Sequence, residues 1–424
     1  MGLKRRYIVA ATAGNALEFY DFITYAFFAI QIGHTFFPSK SAFASLMLSL
    51  ATFGAGFVTR PLGGIIIGAY SDRVGRRPAM MLSFTMMGIA IVGLALIPSY
   101  AQIGIAAPIL AILARMVQGF SLGGEVGPTT AYLMEAAPLH RRGLMVAWQG
   151  ASQGISATVG GTVGVVLASV MSAGALDAYG WRIAFLLGAV TVPFGLWVRR
   201  SLPETLFHAE THAATSVAAT RLGAARESSR IIVLGLIILA YGTIGTYITD
   251  YMTTYAQNTL HMPASTAFWV TVVSNLTGLF AVLYGGWLSD RIGRKPVMIW
   301  SNLATLVITY PIFLWVVEAH SAFALLTGMG FFGFVGSIPF GPFYVGLAES
   351  LPKQIRGSTF ATIYAVSIAA FGGTCQLIVT WLIHVTGDPL APAWYLLFAT
   401  VIGQVAIWMM PETAPVKLGA APAH

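Results

Sequence analysis

Six ionisable side chains lie within long apolar stretches of the sequence, where a charge is costly. They are Glu18, Asp21, Arg60, Arg115, Glu125 and Asp250. A charged side chain at the centre of a membrane-spanning helix costs about 3 kcal/mol on insertion scales, so such a residue is retained for a function. The planar guanidinium of arginine binds a carboxylate through two hydrogen bonds, and a carboxyl group exchanges a proton as its solvation changes. The set predicts binding of an organic anion together with proton transfer, although an arginine here can also be purely structural.

Helical spacing places further polar side chains beside these charges. At 100° per residue, Asn15 and Tyr25 fall on the same face of the first apolar run as Glu18. Arg115 and Glu125 lie about 15 Å apart along the fourth run, so they cannot pair directly. The predicted substrate contacts are Arg115, Arg60, Asn15, Gln118, Tyr25, Gln149, Gln153, Tyr247 and Tyr344. The predicted proton-coupling groups are Glu18, Asp21, Glu125 and, nearer the end of its helix, Asp250. Each polar side chain taken singly can instead form a helix-to-helix hydrogen bond.

The elements that must hold these residues are predicted to be membrane-spanning helices. The chain has 424 residues, of which 57% are hydrophobic and 9% charged, whereas soluble proteins have about 25% charged residues. This composition excludes a water-soluble enzyme and leaves room for a dozen spans of about 20 residues each. The predicted spans are at about 8–33, 44–70, 79–98, 102–134, 144–172, 181–200, 231–256, 264–288, 297–317, 321–350, 357–385 and 392–411. The tenth span contains Pro339 and Pro342 and is predicted to kink or unwind.

The basic residues predict the orientation of these spans. Of the 23 Lys and Arg residues, Arg60 and Arg115 lie inside spans, Lys40 and Arg182 lie on one side, and all others lie on the opposite side. By the positive-inside rule the crowded side is the cytoplasm, with both termini there. The positive net charge therefore records membrane topology, and we expect a lipid bilayer and no nucleic acid as partner.

Two matched halves are indicated by repeated loop sequences. GAYSDRVGRRP at 68–78 returns as GWLSDRIGRKP at 286–296, and PET occurs after the sixth and twelfth predicted spans. Such repeats predict two six-helix bundles with a substrate site between them near mid-membrane. The predicted boundaries are 1–200 for the first bundle, 201–230 for a cytoplasmic linker, 231–411 for the second bundle and 412–424 for a short tail.

The charged loop residues are predicted to form contacts between the halves that close the cytoplasmic side. A carboxylate at one helix end can pair with guanidinium groups and with a helix N-terminus of the other half. The predicted gating residues are Asp72, Arg73, Arg76, Arg77, Glu135, Arg142, Asp290, Arg291, Arg294, Glu349 and Arg356. Among them, Glu135 is expected to pair with Arg142 and Glu349 with Arg356. The alternative is that these charges are solvated and serve only membrane topology.

The paired loop motifs, the RMVQG run at 115–119 and the PET sequences resemble the major facilitator superfamily over essentially the whole chain. Within it, GNALEFYDF at 14–22, RPLGG at 60–64, RMVQGFSLGGE at 115–125 and GWR at 180–182 resemble the metabolite:proton symporter family. HTFFP at 34–38 and WQGASQ at 148–153 are most similar to its citrate and tricarballylate branch. SLGGE at 121–125 is closer to the 2-oxoglutarate branch, and Asp250 is not expected in citrate carriers.

The resemblance implies an all-α, twelve-helix secondary transporter of the bacterial inner membrane that alternates access and functions as a monomer. It would import citrate or a related di- or tricarboxylate with protons. Other substrates of the family remain open, namely 2-oxoglutarate, shikimate, proline and betaine, and so does a facilitator without coupling. A membrane sensor on the same fold is the alternative from another class. A membrane enzyme is disfavoured, because the sequence has no nucleophile elbow, no Walker loop and no metal-ligand cluster, and no cofactor is expected.

Overall fold

The computed structural model describes residues 16, 19–20, 22–74, 76–123, 137–200, 228–352 and 356–419. Within these ranges the side chains at 68–69, 71–73, 76–77, 80, 191, 194, 196–200 and 357–358 are not described. The described residues form helices and turns and contain no strand. The helices of eight or more residues are α1 (Ala29–Phe36), α2 (Ala42–Val58), α3 (Arg60–Val74), α4 (Arg76–Leu96), α5 (Ala106–Leu122), α6 (Arg142–Val170), α7 (Trp181–Arg200), α8 (Ser229–Asn258), α9 (Ala264–Ile292), α10 (Arg294–Ala319), α11 (Ala322–Ser337), α12 (Phe340–Ser350), α13 (Arg356–Ser367), α14 (Gly373–Thr386) and α15 (Ala391–Met409).

These helices form because long apolar runs alternate with short polar turns that supply helix caps. The Ser41 side chain accepts a hydrogen bond from the Ala44 backbone at the start of α2, and Ser321 does the same for Ala324 at the start of α11. Within the described residues, eight helical segments are long and apolar enough to cross a membrane, and two shorter apolar helices accompany them. A helix suits this environment because it satisfies its own backbone hydrogen bonds. The count of twelve spans stays a prediction.

Several of the predicted spans are interrupted, and the first has a turn at Phe28 just before α1. The second continues through a turn at Thr59 from α2 into α3. The tenth breaks between α11 and α12 at Ile338 and Pro339, so the predicted kink is present. The eleventh contains a π-helical segment, Ile368–Gly372, between α13 and α14, which the sequence analysis did not predict. The predicted fourth span is described through α5 and Gly123, and its remainder at 124–134 lies outside the described residues, as does most of the predicted linker.

Two long helix pairs join the part of the chain before residue 201, the N-half (α1–α7), to the part after residue 227, the C-half (α8–α15). In the first pair α6 packs along α9, and in the second α2 packs against α14. Small residues let these helices approach closely: a Cβ atom on Gly286 of α9 would lie 2.5 Å from the backbone oxygen of Gly143 on α6. Space between the halves therefore lies between these two contact lines.

The bundle has two chemically different ends. We call the end that carries Arg142, Asp290, Arg294 and Glu349 the basic end, and the end that carries Gln31, Phe43, Gln257 and His384 the opposite end. The PET sequence at 411–413 lies at the basic end, where Glu412 accepts hydrogen bonds from the backbone nitrogens of Arg294 and Lys295 at 2.9 and 3.1 Å. This carboxylate therefore caps the N-terminus of α10 within the C-half.

Candidate functional site

A cavity of about 130 Å³ lies between the halves. The N-half contributes Gln153 of α6, and the C-half contributes Tyr247 and Asp250 of α8, Tyr344 of α12 and other residues. The volume is sufficient for several water molecules or a small metabolite. Among the residues that the structure describes, Asp250 is the only Asp, Glu, Lys, Arg or His side chain on the wall. The rest of the described wall is aromatic, aliphatic, hydroxyl, amide and glycine surface.

Asp250 lies on α8, about two turns before the helix ends at Asn258. Its side chain is 3% exposed and lies within interaction range of the Asn275 amide on the neighbouring α9. Asn275 also lines the cavity, and its Nδ2 donates a hydrogen bond to the Thr271 carbonyl at 3.1 Å. A carboxyl group and an amide from two helices therefore face one cavity.

Arg60 and Arg115 lie together in a layer of aromatic rings. Their guanidinium carbons lie 4.3 and 4.4 Å from the centroid of the same ring, that of Phe22. Arg60 also lies 4.8 Å from the ring of Phe57, and Arg115 lies 4.6 Å from that of Tyr25. Contact with ring faces stabilises a desolvated cation, so the same aromatic side chains stabilise both guanidinium groups.

The two arginines differ in their hydrogen bonding. Arg115 donates from Nη1 to Oε1 of Gln118 at 2.6 Å, one turn further along α5. The Arg60 side chain is 4% exposed, and its Nε and Nη2 have no hydrogen-bond partner among the described residues. A buried donor without a partner is destabilising. Arg60 therefore presents unused donors close to the cavity.

Aromatic rings lie between the arginines and the cavity. Phe22 packs edge-on against Phe57 with ring centroids 4.7 Å apart, and Phe57 packs edge-on against Tyr247 at 5.5 Å. Tyr247 itself lines the cavity. We call the rings of Phe22, Phe53 and Phe57 the aromatic layer. It places the two guanidinium groups one side chain behind the wall.

The predicted substrate contacts thus divide into three groups. Gln153, Tyr247 and Tyr344 line the cavity, as does the predicted coupling residue Asp250. Arg60, Arg115, Gln118, Tyr25 and Gln149 are described but do not belong to the cavity wall in this conformation. Asn15, Glu18, Asp21 and Glu125 lie outside the described residues.

Most polar residues of the described cavity wall were not predicted from the sequence, and Tyr364 and Asn275 are two of them. Tyr364 of α13 accepts a hydrogen bond from Nε2 of Gln153 at 3.2 Å, which links the halves across the cavity. Asn275 shares the wall with Gly278 and Val282, and these three positions recur at helical spacing. Asn275 is a polar residue in an apolar run, and this was a detectable signal in the sequence. The spacing alone does not show which face of α9 lies toward the cavity.

At the basic end a carboxylate of the C-half holds a helix of the N-half. Asp290, at the end of α9, accepts hydrogen bonds from the backbone nitrogens of Gly143 and Leu144 in the first turn of α6, at 2.8 and 3.0 Å. Arg294 is fully buried and contacts Asp290 at 2.5 Å. A carboxylate at a helix N-terminus is favourable both as a cap and for the helix dipole. This contact has the form predicted for a closing contact between halves.

The other predicted gating residues have more varied surroundings. Glu349 was expected to pair with Arg356. It contacts Arg294 at 3.4 Å and Arg142 at 4.0 Å. Arg356 donates from Nε to the Leu351 carbonyl at 3.3 Å. Arg291 lies 4.0 Å from the ring of Trp287 on its own helix. Glu135 and the side chains of Asp72, Arg73, Arg76 and Arg77 lie outside the described residues.

The opposite end is also bridged by contacts between the halves. Nε2 of Gln31 donates to Oε1 of Gln257 at 3.3 Å, and the Phe28 and Phe268 rings lie 4.8 Å apart. The Phe43 ring stacks on the His384 imidazole with centroids 3.7 Å apart. The described parts of the two halves therefore touch on both sides of the cavity.

Comparisons with known proteins identify the family. Residues 7–231 match the model of the sugar (and other) transporter family, and residues 245–424 match that of the major facilitator superfamily. The chain belongs to the major facilitator superfamily. It is 37% identical to the citrate-proton symporter of Klebsiella pneumoniae, over 97% of this chain and 93% of that protein. The family and branch expected from the loop motifs are confirmed.

A second relative and a solved structure extend the comparison. The glycine betaine/proline/ectoine/pipecolic acid transporter OusA of Dickeya dadantii (strain 3937) is 32% identical, over 100% of this chain and 86% of that protein. The crystal structure of a D-xylose-proton symporter superposes with a TM-score of 0.80 at 20% identity, covering 96% of this chain and 98% of that chain. This structural likeness shows that the helical fold is that of a major facilitator transporter.

Proposed function

We propose that this protein is a proton-coupled symporter of the bacterial inner membrane that imports citrate or a related di- or tricarboxylate. The observation that carries the proposal is the 37% identity to a citrate-proton symporter over nearly the whole chain. The buried guanidinium groups of Arg60 and Arg115 beside the cavity agree with an anionic substrate. On this proposal the chain has twelve spans in two bundles, 1–200 and 231–411, acts as a monomer and has both termini in the cytoplasm.

Alternating access follows from the two sets of contacts between the halves. The basic end would face the cytoplasm, by the positive-inside rule. Parting of Asp290 from the first turn of α6 would open the cavity to the cytoplasm, and parting of Gln31 from Gln257 would open it to the outside. With both sets formed, the present structure corresponds to an occluded state. Movement of two halves against each other around a fixed central site is typical of transporters built from repeats.

Substrate binding would use the arginines behind the aromatic layer. A carboxylate in the cavity attracts both guanidinium groups, and Arg60 has free Nε and Nη2 donors to offer. The Phe22 and Phe57 rings separate the Arg60 donors from the cavity wall. A small rotation of either ring would bring these donors into contact with the substrate. Gln153, Tyr247 and Tyr344 would complete the hydrogen bonding from the wall itself. Glu18, Asp21, Glu125 and Asp250 are the proposed proton-coupling groups.

Counterflow in proteoliposomes tests the function directly. Vesicles loaded with unlabelled compound take up labelled citrate, 2-oxoglutarate or betaine only if the transporter carries it. We expect exchange of citrate, and accumulation of citrate when an inward proton gradient is imposed. Betaine exchange without exchange of either carboxylate would refute the proposed substrate class.

A zwitterionic substrate is the second candidate, because of the composition of the cavity wall. Tyr241, Tyr247, Tyr344 and Tyr364 line the cavity together with Asp250, and the described wall contains no cation. Aromatic rings with one carboxylate suit a quaternary ammonium group. The relative from Dickeya dadantii is a transporter of such compounds. The same counterflow panel separates the two candidates.

A further inference from the structure

The carboxyl group of Asp250 and the amide of Asn275 lie on a cavity wall whose other described residues are uncharged. Asp250 belongs to α8 and Asn275 to α9, so the pair joins two helices of the C-half. One amide hydrogen of Asn275 is used by the Thr271 carbonyl at 3.1 Å, and the second is available to the Asp250 carboxyl. The carboxyl group and the amide therefore lie side by side on the wall of one cavity.

Among the described residues, no cation lies on the cavity wall or forms an ion pair with Asp250. The titratable groups near it are Tyr247 on its own helix and the Cys375 thiol on α14, with the cavity phenols Tyr344 and Tyr364 beyond. Asp250 forms no ion pair with any residue that the structure describes. A buried carboxylate without a partner is strongly destabilising, so the occluded cavity suits the neutral acid.

The two forms of Asp250 act on an organic anion in opposite ways. The neutral carboxyl group has an O–H that donates to a substrate carboxylate. The ionised group has no donor and repels an anion at close range in a cavity of low dielectric. Proton uptake at this residue and binding of a carboxylate in the same cavity therefore favour each other.

We propose that Asp250 carries the co-transported proton and, while protonated, donates a hydrogen bond to a carboxylate of the substrate, with Asn275 as the positioning residue. This inference rests on the proposed function. One proton moves from water on the outer side to a carboxyl oxygen of Asp250, stays in the hydrogen bond to the substrate, and moves to cytoplasmic water when the substrate leaves. No other bond changes.

Because substrate binding and protonation of Asp250 favour each other, the affinity for citrate should fall as the pH rises. Above the pH at which Asp250 loses its proton, affinity for citrate falls about tenfold per pH unit in excess of any effect of citrate's own ionisation. Asp250→Asn keeps a hydrogen-bond donor of the same size and cannot ionise. The ratio of the dissociation constants of wild type and Asp250→Asn at each pH cancels the ionisation of citrate.

The experiment measures citrate binding to the purified full-length protein in lipid nanodiscs from pH 5 to pH 8. We expect the affinity ratio to change about tenfold per unit over part of this range, and Asp250→Asn to exchange citrate without proton-driven accumulation. Asp250→Ser, which is smaller and also neutral, provides a second comparison if the asparagine variant does not fold. Melting temperatures of all variants check folding.

Asn275→Leu tests the positioning role. Removal of the amide donor takes away a hydrogen bond that favours ionised Asp250, so the pH at which affinity falls should rise. A residue that only supports the fold would weaken binding equally at every pH. Asn275→Gln, which keeps the amide, should return the pH profile toward that of the wild type.

The outcomes separate this inference from the proposed function. Parallel pH profiles of wild type and Asp250→Asn, with citrate still bound and exchanged, would overturn the inference and leave the function standing. Absence of carboxylate binding to the wild type at every pH would overturn the function itself. Betaine binding that tightens as pH rises and disappears in Asp250→Asn would show that ionised Asp250 holds an ammonium group, and would overturn both.

Discussion

Arg60 illustrates what can and cannot be predicted for single residues. The sequence shows that Arg60 and Arg115 lie in apolar runs, and the structure finds them 4% and 0% exposed. The aromatic layer in front of them was not predictable, because helical spacing gives the face of a residue but not the rotation of its helix against a neighbour. For the same reason the sequence did not predict that Asp250 of α8 and Asn275 of α9 line the same cavity.

Arg60→Lys is expected to weaken citrate binding about 10- to 100-fold. The lysine keeps the charge but loses the fork that binds a carboxylate through two hydrogen bonds, and a hydrogen bond to a charged group contributes about 1.5–3 kcal/mol. Calorimetry on the purified protein measures the affinity. Arg230→Lys is the matched control, since that exposed arginine contacts the Met409 carbonyl at 3.4 Å, away from the cavity. Equal affinities in both variants would remove Arg60 from the binding site.

The exposed pair of His34 and Asp177 gives a pH-dependent prediction. His34 lies beyond the apolar run predicted to end near residue 33, and its Nδ1 is 2.8 Å from the Asp177 carboxylate. The hydrogen bond to Asp177 raises the pKa of the imidazole above its ordinary 6.5. The pair therefore stabilises the protein fully below pH 6.5, and this stabilisation disappears as the pH rises through the higher pKa of the folded state.

Asp177→Asn should accordingly lower the melting temperature by about 1–2 °C at pH 6 and leave it unchanged at pH 9. The effect is small because the two side chains are 47% and 40% exposed, and exposed pairs contribute below about 1 kcal/mol. The same substitution in a His34→Gln background is the control. A similar loss at both pH values in the wild-type background would contradict the prediction.

At the scale of helices, termini and breaks were predictable where a residue has a local role. Proline marked the break between α11 and α12, and the paired loop motifs marked helix ends where a carboxylate can cap a neighbour. The π-helical segment at Ile368–Gly372 had no such marker. It lies next to close contacts of Gly372 and Gly373 with Tyr247 and Phe57, so tertiary packing accounts for it.

Asp290→Asn is expected to open the basic end. The amide keeps the size of the side chain. It is a weaker acceptor for the backbone N–H groups of Gly143 and Leu144, and it removes the negative charge that pairs with Arg294. A loss of about 1.4 kcal/mol raises the open population about tenfold. The open population is measured in a Leu144→Cys variant that also carries Cys375→Ala. A thiol reagent added on the side of the basic end labels the new cysteine when that end is open.

Glu412→Gln provides the matched control for this helix cap. Glu412 caps α10 from within the same half, so its loss lowers stability by about 1 kcal/mol without separating the halves. Equal labelling in Asp290→Asn and Glu412→Gln would mean that Asp290 does not act as a latch.

For the whole molecule, charge distribution and repeats predicted a transporter of two halves. The family comparison confirms the transporter family, and the division into halves stays a prediction. The lines of contact between the halves were not predictable, because they depend on small residues whose partners are more than a hundred positions away. On the side of the opposite end, a Cβ on Gly54 of α2 would lie 2.7 Å from the backbone oxygen of Gly373 on α14. Toward the basic end, Gly286 of α9 lies similarly close to the backbone of Gly143 on α6.

Gly54→Val and Gly286→Val should trap opposite conformations. Each added side chain prevents one close approach of backbones, at a cost of about 1–3 kcal/mol to the closed arrangement on its side. Gly54→Val should raise labelling of Gln257→Cys at the opposite end about tenfold, and Gly286→Val should do so for Leu144→Cys at the basic end. Both should slow transport. If the two variants exposed the same end, the assignment of the two contact lines would be wrong.

The contact of Asp290 with α6 has a thermodynamic consequence for turnover. Two backbone N–H groups exchange a carboxylate for water when the basic end parts, and a hydrogen bond to a charged group contributes about 1.5–3 kcal/mol net. A membrane voltage of 100 mV supplies about 2.3 kcal/mol for every positive charge that enters. Parting of this contact therefore costs more than the electrical work of one such charge at 100 mV, so the closed state is held against the membrane voltage alone.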